Sequence, residues 1–241
     1  MKICVIGALG HIGSKLIKVL PKYLEISEIL LIDNLMTQRF CSCFNLPENI
    51  SYKLIDSDAR DLDLKQVLHD MDVVINLAAI TDATSSFEKA HEVEQHNLGV
   101  TLAVAEACLS SNTKLVAISS TSVYGTSNQI VFEDCDRSEL NPQSPYASTK
   151  LREEDLVLSM SEIGLKATIF RFGTIFGVSE GMRFHTAVNK FCWNAALNQP
   201  LTVWETAFDQ VRPYLCLDDA CRAIAHVVKQ NLFDGEIYNV L

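Results

Sequence analysis

An α/β protein with a doubly wound parallel sheet is the fold class that the sequence predicts. Short apolar runs alternate with amphipathic stretches along most of the chain, a rhythm typical of strands joined by crossover helices. A glycine-rich turn, with glycines at 7, 10 and 13, follows the first apolar run and opens the first helical pattern. Because such crossovers are right-handed, helices cover both faces of the sheet. These observations predict a Rossmann-like doubly wound parallel sheet with a small mixed α/β substrate lobe.

The regular elements follow from the apolar periodicity. The runs predicted as strands are Lys2–Ile6, Ile29–Ile32, Tyr52–Ile55, Val73–Leu77, Leu115–Ile118 and Ala167–Phe170. Helical patterns lie between them, near 12–23, 63–70, 88–110 and 146–163. Together these elements predict a dinucleotide-binding domain over residues 1–177.

The rhythm changes after Gly177. A helical pattern near 185–198 precedes two strand-like runs and a last helical pattern: Leu201–Trp204, Arg212–Cys216 and 218–230. We interpret residues 178–241 as a partial lobe, packed over the carboxyl edge of the sheet and interleaved with it. The final run, Gly235–Leu241, resembles a strand broken off in mid-course, which predicts that a C-terminal portion is missing.

Composition and charge limit the classes of partner. The 241 residues are 48% hydrophobic and carry a formal charge of −10. This content excludes a disordered chain, and the negative charge argues against nucleic acid, which binds basic surfaces. No apolar run reaches the roughly 18 residues of a membrane span, and no signal-peptide pattern precedes the first strand. We expect a cytoplasmic protein with no membrane and no nucleic-acid partner.

Eight cysteines are scattered along the chain without the paired Cys-x-x-Cys spacing of zinc sites. Reduced thiols are the expected state of such cysteines in the cytosol. A redox or metal role stays the alternative, with Cys41 and Cys43 as the close pair. No metal site is predicted.

The glycine turn predicts a bound dinucleotide. Gly7 permits a sharp turn, Gly10 lets the backbone approach a pyrophosphate, and Gly13 allows close packing of helix on sheet. The free amides of the following helix then face the phosphates. Three glycines alone also fit a purely structural turn, and the strand–turn–helix context favours the nucleotide.

Asp33 ends the second predicted strand, about 20 residues after the glycine turn, where an acid accepts hydrogen bonds from the adenosine ribose. A carboxylate there repels a 2′-phosphate, and no Arg or Lys occupies 34–38. The cofactor is therefore predicted to be NAD rather than NADP, although Arg39 is close enough to keep NADP open. The alternative for Asp33 is an ordinary loop carboxylate.

Three further segments follow predicted strands. Asp58 could accept from an adenine amino group, or cap a local turn. The small residues of Asn76–Ala79 would let a cofactor lie against the backbone, or would serve tight packing. In Ser119–Gly125 a hydroxyl could hold a substrate oxygen, or the segment could be a Ser/Thr turn. Asn97, inside a helical pattern beside Gly99, could order a water or a helix bend.

Tyr146 and Lys150 are spaced by four residues and share one helical face. A phenol titrates near 10, and a neighbouring ammonium favours the phenolate and lowers that pKa. The pair therefore predicts a proton acceptor that works near neutral pH, as the oxidation of a sugar alcohol requires.

Taken together, these motifs resemble the extended short-chain dehydrogenase/reductase family, and within it the NAD-dependent nucleotide-sugar epimerase/dehydratase branch. The matching stretches are the glycine turn, Asp33–Leu35, Asp58–Asp61, Asn76–Ala79, Asn97–Thr101, Ser119–Gly125, Ser144–Lys150 and Arg171–Gly177. The resemblance implies that Tyr146 is the catalytic base and that Lys150 lowers its pKa and binds the nicotinamide ribose. It places the catalytic hydroxyl on Ser120. The cofactor-binding set it implies is Gly7, Gly10, His11, Ile12, Gly13, Asp33, Asn34, Asp58, Ala59, Leu77, Ala78, Ala79, Asn97, Tyr146 and Lys150.

The later part of the chain also resembles this branch, over Asn198–Trp204 and Gln210–Asp219. The resemblance implies that Arg212 binds the pyrophosphate of a nucleoside-diphosphate sugar, with a surface ion pair as the alternative. The other substrate-binding residues that it implies are Ser120, Thr121 and Asn189. A homodimer is expected.

The chain departs from the pattern of this branch at two places, and the first departure narrows the activity. The 4,6-dehydratases carry an Asp-Glu pair directly after the catalytic hydroxyl, where this chain has Thr121 and Ser122. The Asn that the branch has after Arg171 is here Gly173 or Thr174. Elimination of water needs an acid and a base, so we predict an epimerase that acts through a transient keto intermediate. A reductase or dehydratase of the same family is the alternative, and a non-catalytic NAD-sensing binder is a third.

Overall fold

Nine strands carry the fold in a computed structural model that describes residues 1–81, 90–126, 130–203, 205, 208 and 210–241. They are β1 (Lys2–Ile6), β2 (Glu28–Asp33), β3 (Ser51–Asp56), β4 (Val73–Asn76), β5 (Lys114–Ser120), β6 (Ala167–Phe172), β7 (Thr174–Phe176), β8 (Tyr214–Cys216) and β9 (Ile237–Val240). Seven of them form one sheet in the order β3-β2-β1-β4-β5-β6-β9, and every neighbouring pair is parallel. The order runs outward from β1 in both directions, so the sheet is doubly wound, as predicted.

Helices pack on both faces of this sheet. The helices of the described residues are α1 (His11–Val19), α2 (Leu64–Leu68), α3 (Ala90–Ser111), α4 (Pro145–Glu162), α5 (Ala187–Ala196) and α6 (Leu217–Gln230). Side chains of α1 and α6 share one buried apolar cluster with Ile3 and Val5 of β1. Side chains of α2, α3 and α4 share the other with Cys4 and Ile6. Successive residues of β1 from Ile3 to Ile6 thus alternate between two cores, which is why all four are apolar.

Several predicted boundaries are corrected. The helix predicted over 12–23 ends at Val19, because Pro21 begins the next turn and Leu20–Lys22 winds as a 3-10 helix. Residues 201–203 are not a strand, and Trp204 lies outside the described residues. The strand predicted at Arg212–Cys216 begins at Tyr214 and pairs with β7 in a separate two-stranded sheet.

The end of the chain returns to the main sheet. The run predicted as a strand, Gly235–Leu241, contains β9, which pairs in parallel with β6. Helix α6 packs against α1. The domain division at 177 stays a prediction.

Candidate active site

The glycine turn joins β1 to α1 at the carboxyl edge of the sheet. Gly7 has a φ of +75°, and a Cβ there would lie 2.7 Å from the backbone nitrogen of Ala78. A Cβ on Gly13 would lie 2.5 Å from the carbonyl oxygen of Ala8. A Cβ on Gly10 would meet only the Gly7 carbonyl, at 3.4 Å. Gly7 and Gly13 are therefore required by the fold, and Gly10 leaves open space beside the first turn of α1.

A cleft opens from this turn along the ends of β1, β2 and β4. The described residues that line it are Ile6, Gly7, Gly10, Ile32, Asp33, Asn34, Met36, Thr37, Arg39, Ser57, Asp58, Ala59, Leu77, Ala78, Ala79, His96, Val100 and Arg183. A wall of small side chains, acids on the rim and free helix amides at one end are what an adenine dinucleotide needs. The residues present therefore fit this cofactor.

Segment 177–181 packs against the first turn of α1. The His11 Nε2 bonds to the Gly177 carbonyl oxygen at 2.9 Å, and the Ser179 hydroxyl donates to the His11 carbonyl oxygen at 2.8 Å. Burial lowers the pKa of His11 below its ordinary value, so the ring is neutral near pH 7 and donates from Nε2. The Ile12 side chain packs against the core. The side chains of these two predicted cofactor residues are thus engaged within the protein. Their predicted cofactor roles stay predictions.

Asp33 is held by two backbone amides. Its Oδ2 accepts from Leu9 N at 2.9 Å and its Oδ1 accepts from Leu35 N at 3.0 Å. Leu35 has a φ of +50°, so the carboxylate stabilises a strained turn and also ties β2 to the glycine turn. Asn34 is exposed, with its Nδ2 3.4 Å from Asp58 Oδ2. The predicted ribose contact stays a prediction, and the carboxylate is fixed at the cleft where it would be made.

Asp58 caps the short helical turn Ala59–Asp61. Its Oδ1 accepts from Arg60 N at 3.0 Å, and the Arg60 guanidinium forms two further bonds to the carboxylate, both 2.9 Å. The bonds from Arg60 hold the pKa of Asp58 well below its usual range. The capping role left open by the sequence is therefore present. The predicted adenine contact is untested.

Asn97 lies fully buried in α3 and holds the wall of the cleft. Its Oδ1 accepts from Ile80 N at 2.8 Å and its Nδ2 donates to Ile80 O at 3.0 Å. These bonds fix the segment that follows Leu77, Ala78 and Ala79. Asn97 thus fixes the backbone of the cleft wall by bonding to Ile80. Its predicted cofactor role stays a prediction.

Sequence reasoning missed His96 and Arg183 as lining residues and treated Arg39 only as a doubt. Arg39 lies in the cleft with Asp33, and its Nη1 is buried with no partner among the described residues. His96 Nε2 is 3.5 Å from Asp58 Oδ2. The position of His96 next to Asn97 was the available signal, since α3 presents both to the cleft side.

Ser120 ends β5, one strand from β4. Its Oγ accepts from Ser122 N at 3.2 Å and from Ser122 Oγ at 2.9 Å. Thr121 instead turns its hydroxyl to the Phe172 carbonyl oxygen of β6, at 3.3 Å. Because the acceptor lone pairs of Ser120 are used by Ser122, its own O–H is available to a ligand oxygen.

Tyr146 and Lys150 lie on the first turns of α4, which begins with Ser144 capping Ala147 N. The Lys150 Nζ lies 6.0 Å from the centre of the Tyr146 ring. It donates to the Ile118 carbonyl oxygen at 3.0 Å and to Glu153 Oε2 at 3.1 Å. The predicted pair is therefore assembled beside β5, and a carboxylate that the sequence did not suggest lies on the ammonium.

The surroundings of Tyr146 differ from those that the sequence suggested, and they change the expected pKa of its phenol. Burial raises the pKa of Tyr146 above its ordinary value, Lys150 opposes this rise, and Glu153 adds to it. Burial lowers the pKa of Lys150, and the charges of Glu153 and Tyr146 outweigh burial, so that the pKa is raised. The prediction of a lowered phenol pKa is thus wrong for the ligand-free protein, since burial and Glu153 outweigh the ammonium.

A second ion pair lies deeper, between α4 and β6. Arg171 donates to both oxygens of Glu154, from Nε at 2.9 Å and Nη2 at 2.7 Å. The Ser119 hydroxyl also donates to Glu154, and Arg171 Nη1 donates to the Tyr124 hydroxyl at 2.7 Å. We call Lys150, Glu153, Glu154 and Arg171 the buried charge cluster. Its formal charges sum to zero.

Two of the predicted substrate residues, Asn189 and Arg212, make their described contacts outside this cluster. Asn189 is buried in α5, where its Oδ1 accepts from Gly177 N at 3.1 Å and its Nδ2 donates to Arg183 O at 2.9 Å. Arg212 is exposed, and its Nη2 donates to Gln210 Oε1 at 3.0 Å. Asn189 is therefore engaged with the backbone, whereas Arg212 faces solvent. Both substrate roles stay predictions.

Two absences apply to the described part of the chain. No group of three or more His, Cys, Asp or Glu side chains in it is placed to hold a metal ion. None of its helices combines the length and apolar character needed to cross a membrane.

A family model described as the NAD dependent epimerase/dehydratase family matches residues 3–240. The chain belongs to this family. The resemblance to the nucleotide-sugar branch of the extended short-chain dehydrogenase/reductases is thereby confirmed, and so is NAD as the predicted cofactor, since the family is NAD dependent.

Relatives within the family include both epimerases and dehydratases. The chain is 30% identical to a Bacillus subtilis (strain 168) protein named uncharacterized UDP-glucose epimerase YtcB, over all of this chain and 76% of that protein. It is 27% identical to the dTDP-D-glucose 4,6-dehydratase of Dictyostelium discoideum, over 99% of this chain and 58% of that protein.

The solved structure of UDP-glucuronic acid 4-epimerase from Bacillus cereus, in complex with UDP-glucuronic acid and NAD, superimposes with a TM-score of 0.88 at 29% identity. The match covers all of this chain and 77% of that one. The family members that resemble this chain thus share its fold and differ in reaction.

Proposed function

We propose that this chain is an NAD-dependent epimerase of a nucleoside-diphosphate sugar. The observation that carries the proposal is the Tyr146–Lys150 pair beside β5, combined with hydroxyl side chains rather than carboxylates directly after Ser120. Thr121 donates to the Phe172 carbonyl and Ser122 donates to Ser120. Neither side chain can serve as the acid or base that an elimination of water requires.

The chain's own residues would hold the cofactor along the cleft. The free amides of α1 and the open side of Gly10 suit the pyrophosphate. Asp33 suits the adenosine ribose, and the wall Leu77–Ala79 lets the cofactor lie against the backbone. When bound, NAD supplies the oxidation of an alcohol carbon and the reversal of that oxidation.

The proton chemistry belongs to Tyr146 and Ser120. The Tyr146 phenol would accept the proton of a sugar hydroxyl and return it later, with the Lys150 ammonium stabilising the phenolate. Ser120 would donate its O–H to the same sugar oxygen, since its acceptor sites are used by Ser122. These two groups would orient the sugar and hold the proton throughout the cycle.

The nucleotide end of the substrate would be held by the lobe between β6 and α6. Arg212 is exposed and would pair with a diphosphate, to which a guanidinium can form two parallel bonds. Thr121 and Asn189 are proposed as further contacts. The Thr121 hydroxyl and the Asn189 amide are already bonded to the backbone. We therefore propose that these two residues help the substrate by fixing the segments around it.

A dehydratase is the second candidate, because the Dictyostelium discoideum relative is named as one. It would need an acid and a base on neighbouring carbons, which Thr121 and Ser122 do not supply. A reductase would draw on external reduced cofactor. A non-catalytic NAD sensor would need neither Tyr146 nor Ser120.

A single experiment separates these candidates. The protein is incubated in deuterated water with a panel of sugar nucleotides, and the products are examined by NMR and mass spectrometry. We expect a product of unchanged mass with one stereocentre inverted, no solvent deuterium at the oxidised carbon and no requirement for added NADH. A product lighter by one water, or one formed only with stoichiometric reduced cofactor, would reject the epimerase. No turnover of any sugar nucleotide alongside NAD binding would favour the sensor.

A further inference from the structure

Glu153 is a buried carboxylate in contact with Lys150 that the chemistry above does not use. It follows Lys150 by three residues on α4, and its side chain is 7% exposed. Its Oε2 lies 3.1 Å from Lys150 Nζ and accepts from the Thr101 hydroxyl of α3 at 2.7 Å. A carboxylate is seldom buried unless it is paired, so this contact has to compensate a large loss of hydration.

The contacts of Glu153 are unequal. One oxygen has two partners, whereas Oε1 is buried with no partner among the described residues. A small pocket borders the same carboxylate, lined also by Asn76, Ser119 and Glu154. An unsatisfied buried oxygen costs stability, and a group kept at that cost is a candidate for a functional role.

The position of the Lys150 ammonium is set by these contacts. An ammonium has three donors, and the structure gives acceptors for two of them, the Ile118 carbonyl of β5 and Glu153. With two directions fixed, one N–H is left for the Tyr146 side or for a cofactor hydroxyl. Glu153 thereby limits where Lys150 can reach.

The charge felt by Tyr146 comes from every element around it. Helix α4 contributes Lys150 and Glu153, and the segment before α5 contributes Arg183. Glu154 of α4 acts on Lys150 and is itself paired with Arg171 of β6. Helix α3 contributes the neutral Thr101 at this point, and β5 the Ile118 carbonyl. Arg171 is paired with Glu154, so the Lys150 charge is the one that Glu153 offsets.

We propose that Glu153 is a positioning residue that anchors Lys150 against α3 and β5 and offsets its charge toward Tyr146. The proposal rests on the proposed function for the role of Tyr146 as base. Its consequence is that the base works at a higher pH than it would beside an unpaired ammonium, because the phenolate is less stabilised.

The test replaces Glu153 by glutamine, which keeps the size and one hydrogen bond but removes the charge. The Tyr146 phenol is followed by NMR with tyrosine labelled at the ring carbon that bears the hydroxyl, and its resonance is assigned by its loss in Tyr146→Phe. In the ligand-free Glu153→Gln protein we expect the phenol to titrate at lower pH than in the wild type. With substrate and NAD, the acid limb of the pH profile of kcat should also move to lower pH. At a pH below that limb, kcat relative to its plateau value should rise roughly threefold or more.

Asp155→Asn is the matched control. Asp155 is on the same helix and pairs with Arg137 at the exposed surface, so its loss should move neither titration nor acid limb. If Glu153→Gln does not fold, Glu153→Asp is used, since its shorter side chain withdraws the charge from Lys150 and predicts a smaller shift of the same sign.

The outcomes separate the two proposals. An unmoved phenol titration in a folded Glu153 variant overturns the role of Glu153, whatever reaction the protein performs. A shifted titration without turnover of any sugar nucleotide leaves the role of Glu153 standing and rejects the proposed function. A shift of the phenol titration to higher pH also overturns the role of Glu153. Removal of the negative charge would then have disfavoured the phenolate through a change of structure.

Discussion

The buried charge cluster and the lobe that carries Arg212 use their charges in opposite ways. In the cluster, Lys150 and Arg171 each lie within hydrogen-bond distance of a buried glutamate. In the lobe, Arg212 is exposed, and within the described residues its guanidinium bonds to the amide of Gln210 and to no carboxylate. The charges of the cluster are paired with one another inside the fold, whereas the Arg212 charge has no carboxylate partner among the described residues.

This difference predicts how the two regions respond to mutation. Removing one partner of a buried pair leaves an uncompensated charge and costs stability. Removing an exposed charge with a neutral partner costs stability little and acts on whatever ligand that charge attracts. Tyr146 lies between the two cases, because it is half-buried on α4 and its ring centre lies 6.0 Å from the Lys150 ammonium of the cluster.

Tyr146→Phe should give the largest effect on activity. The phenyl ring keeps the packing and removes the proton acceptor, and general acid–base groups contribute about 10²–10⁴-fold. We expect kcat to fall within that range while NAD affinity and thermal unfolding stay near wild type. Tyr238→Phe is the control, since the Tyr238 hydroxyl bonds to Asp234 at the surface. Activity near wild type in Tyr146→Phe would show that another group takes the proton.

Glu154→Gln should give the largest effect on stability. Glu154 is 1% exposed and holds Arg171 with two hydrogen bonds, and breaking such a pair costs about 3–5 kcal/mol. The free energy of unfolding, measured with urea, should fall by that amount. The neighbouring Asp155→Asn breaks an exposed pair and should cost at most about 1 kcal/mol. Equal losses in the two variants would contradict the contrast between a buried and an exposed pair on one helix.

The same stretch of α4 shows what the sequence could predict. The spacing of Tyr146 and Lys150 is local, and helical geometry alone places them on one face. The run Arg152-Glu-Glu-Asp155 has the composition of a solvated helix face. Yet Glu153 and Glu154 are 6% and 1% exposed, because Thr101 of α3 and Arg171 of β6 reach them from far along the chain. Such burial depends on tertiary packing that periodicity does not contain.

The fold shows the same division. Alternation of strands and helices predicted the parallel sheet, since each apolar run is fixed by neighbours close in sequence. The pairing of β9 with β6 and of β7 with β8 joins segments that are distant along the chain, and no local pattern specifies it. The glycine turn was predictable, because the positive φ of Gly7 and the contact of Gly13 with Ala8 are local in sequence. The competing contacts of Asn189 with Gly177 and Arg183 were not.

Arg212→Ala should give the smallest effect and the sharpest test of the exposed region. A charge-assisted hydrogen bond is worth about 1.5–3 kcal/mol, so loss of the guanidinium should weaken binding of a nucleoside-diphosphate sugar about tenfold or more. NAD affinity and the free energy of unfolding should stay at their wild-type values, because the described contacts of Arg212 include no residue of the dinucleotide cleft. Isothermal titration calorimetry with each ligand measures both affinities.

The control is Arg222→Ala, which removes an exposed arginine that already pairs with Asp219. Arg222→Ala and Arg212→Ala have the same net charge. If Arg212 binds the diphosphate, Arg222→Ala leaves substrate affinity unchanged. A general loss of positive potential is then excluded as the cause of weaker binding in Arg212→Ala. Equal weakening by both variants would mean that the lobe attracts the anion through its overall field. Unchanged affinity in Arg212→Ala would leave this arginine as a surface residue and move the proposed diphosphate site to Arg183, which lines the cleft.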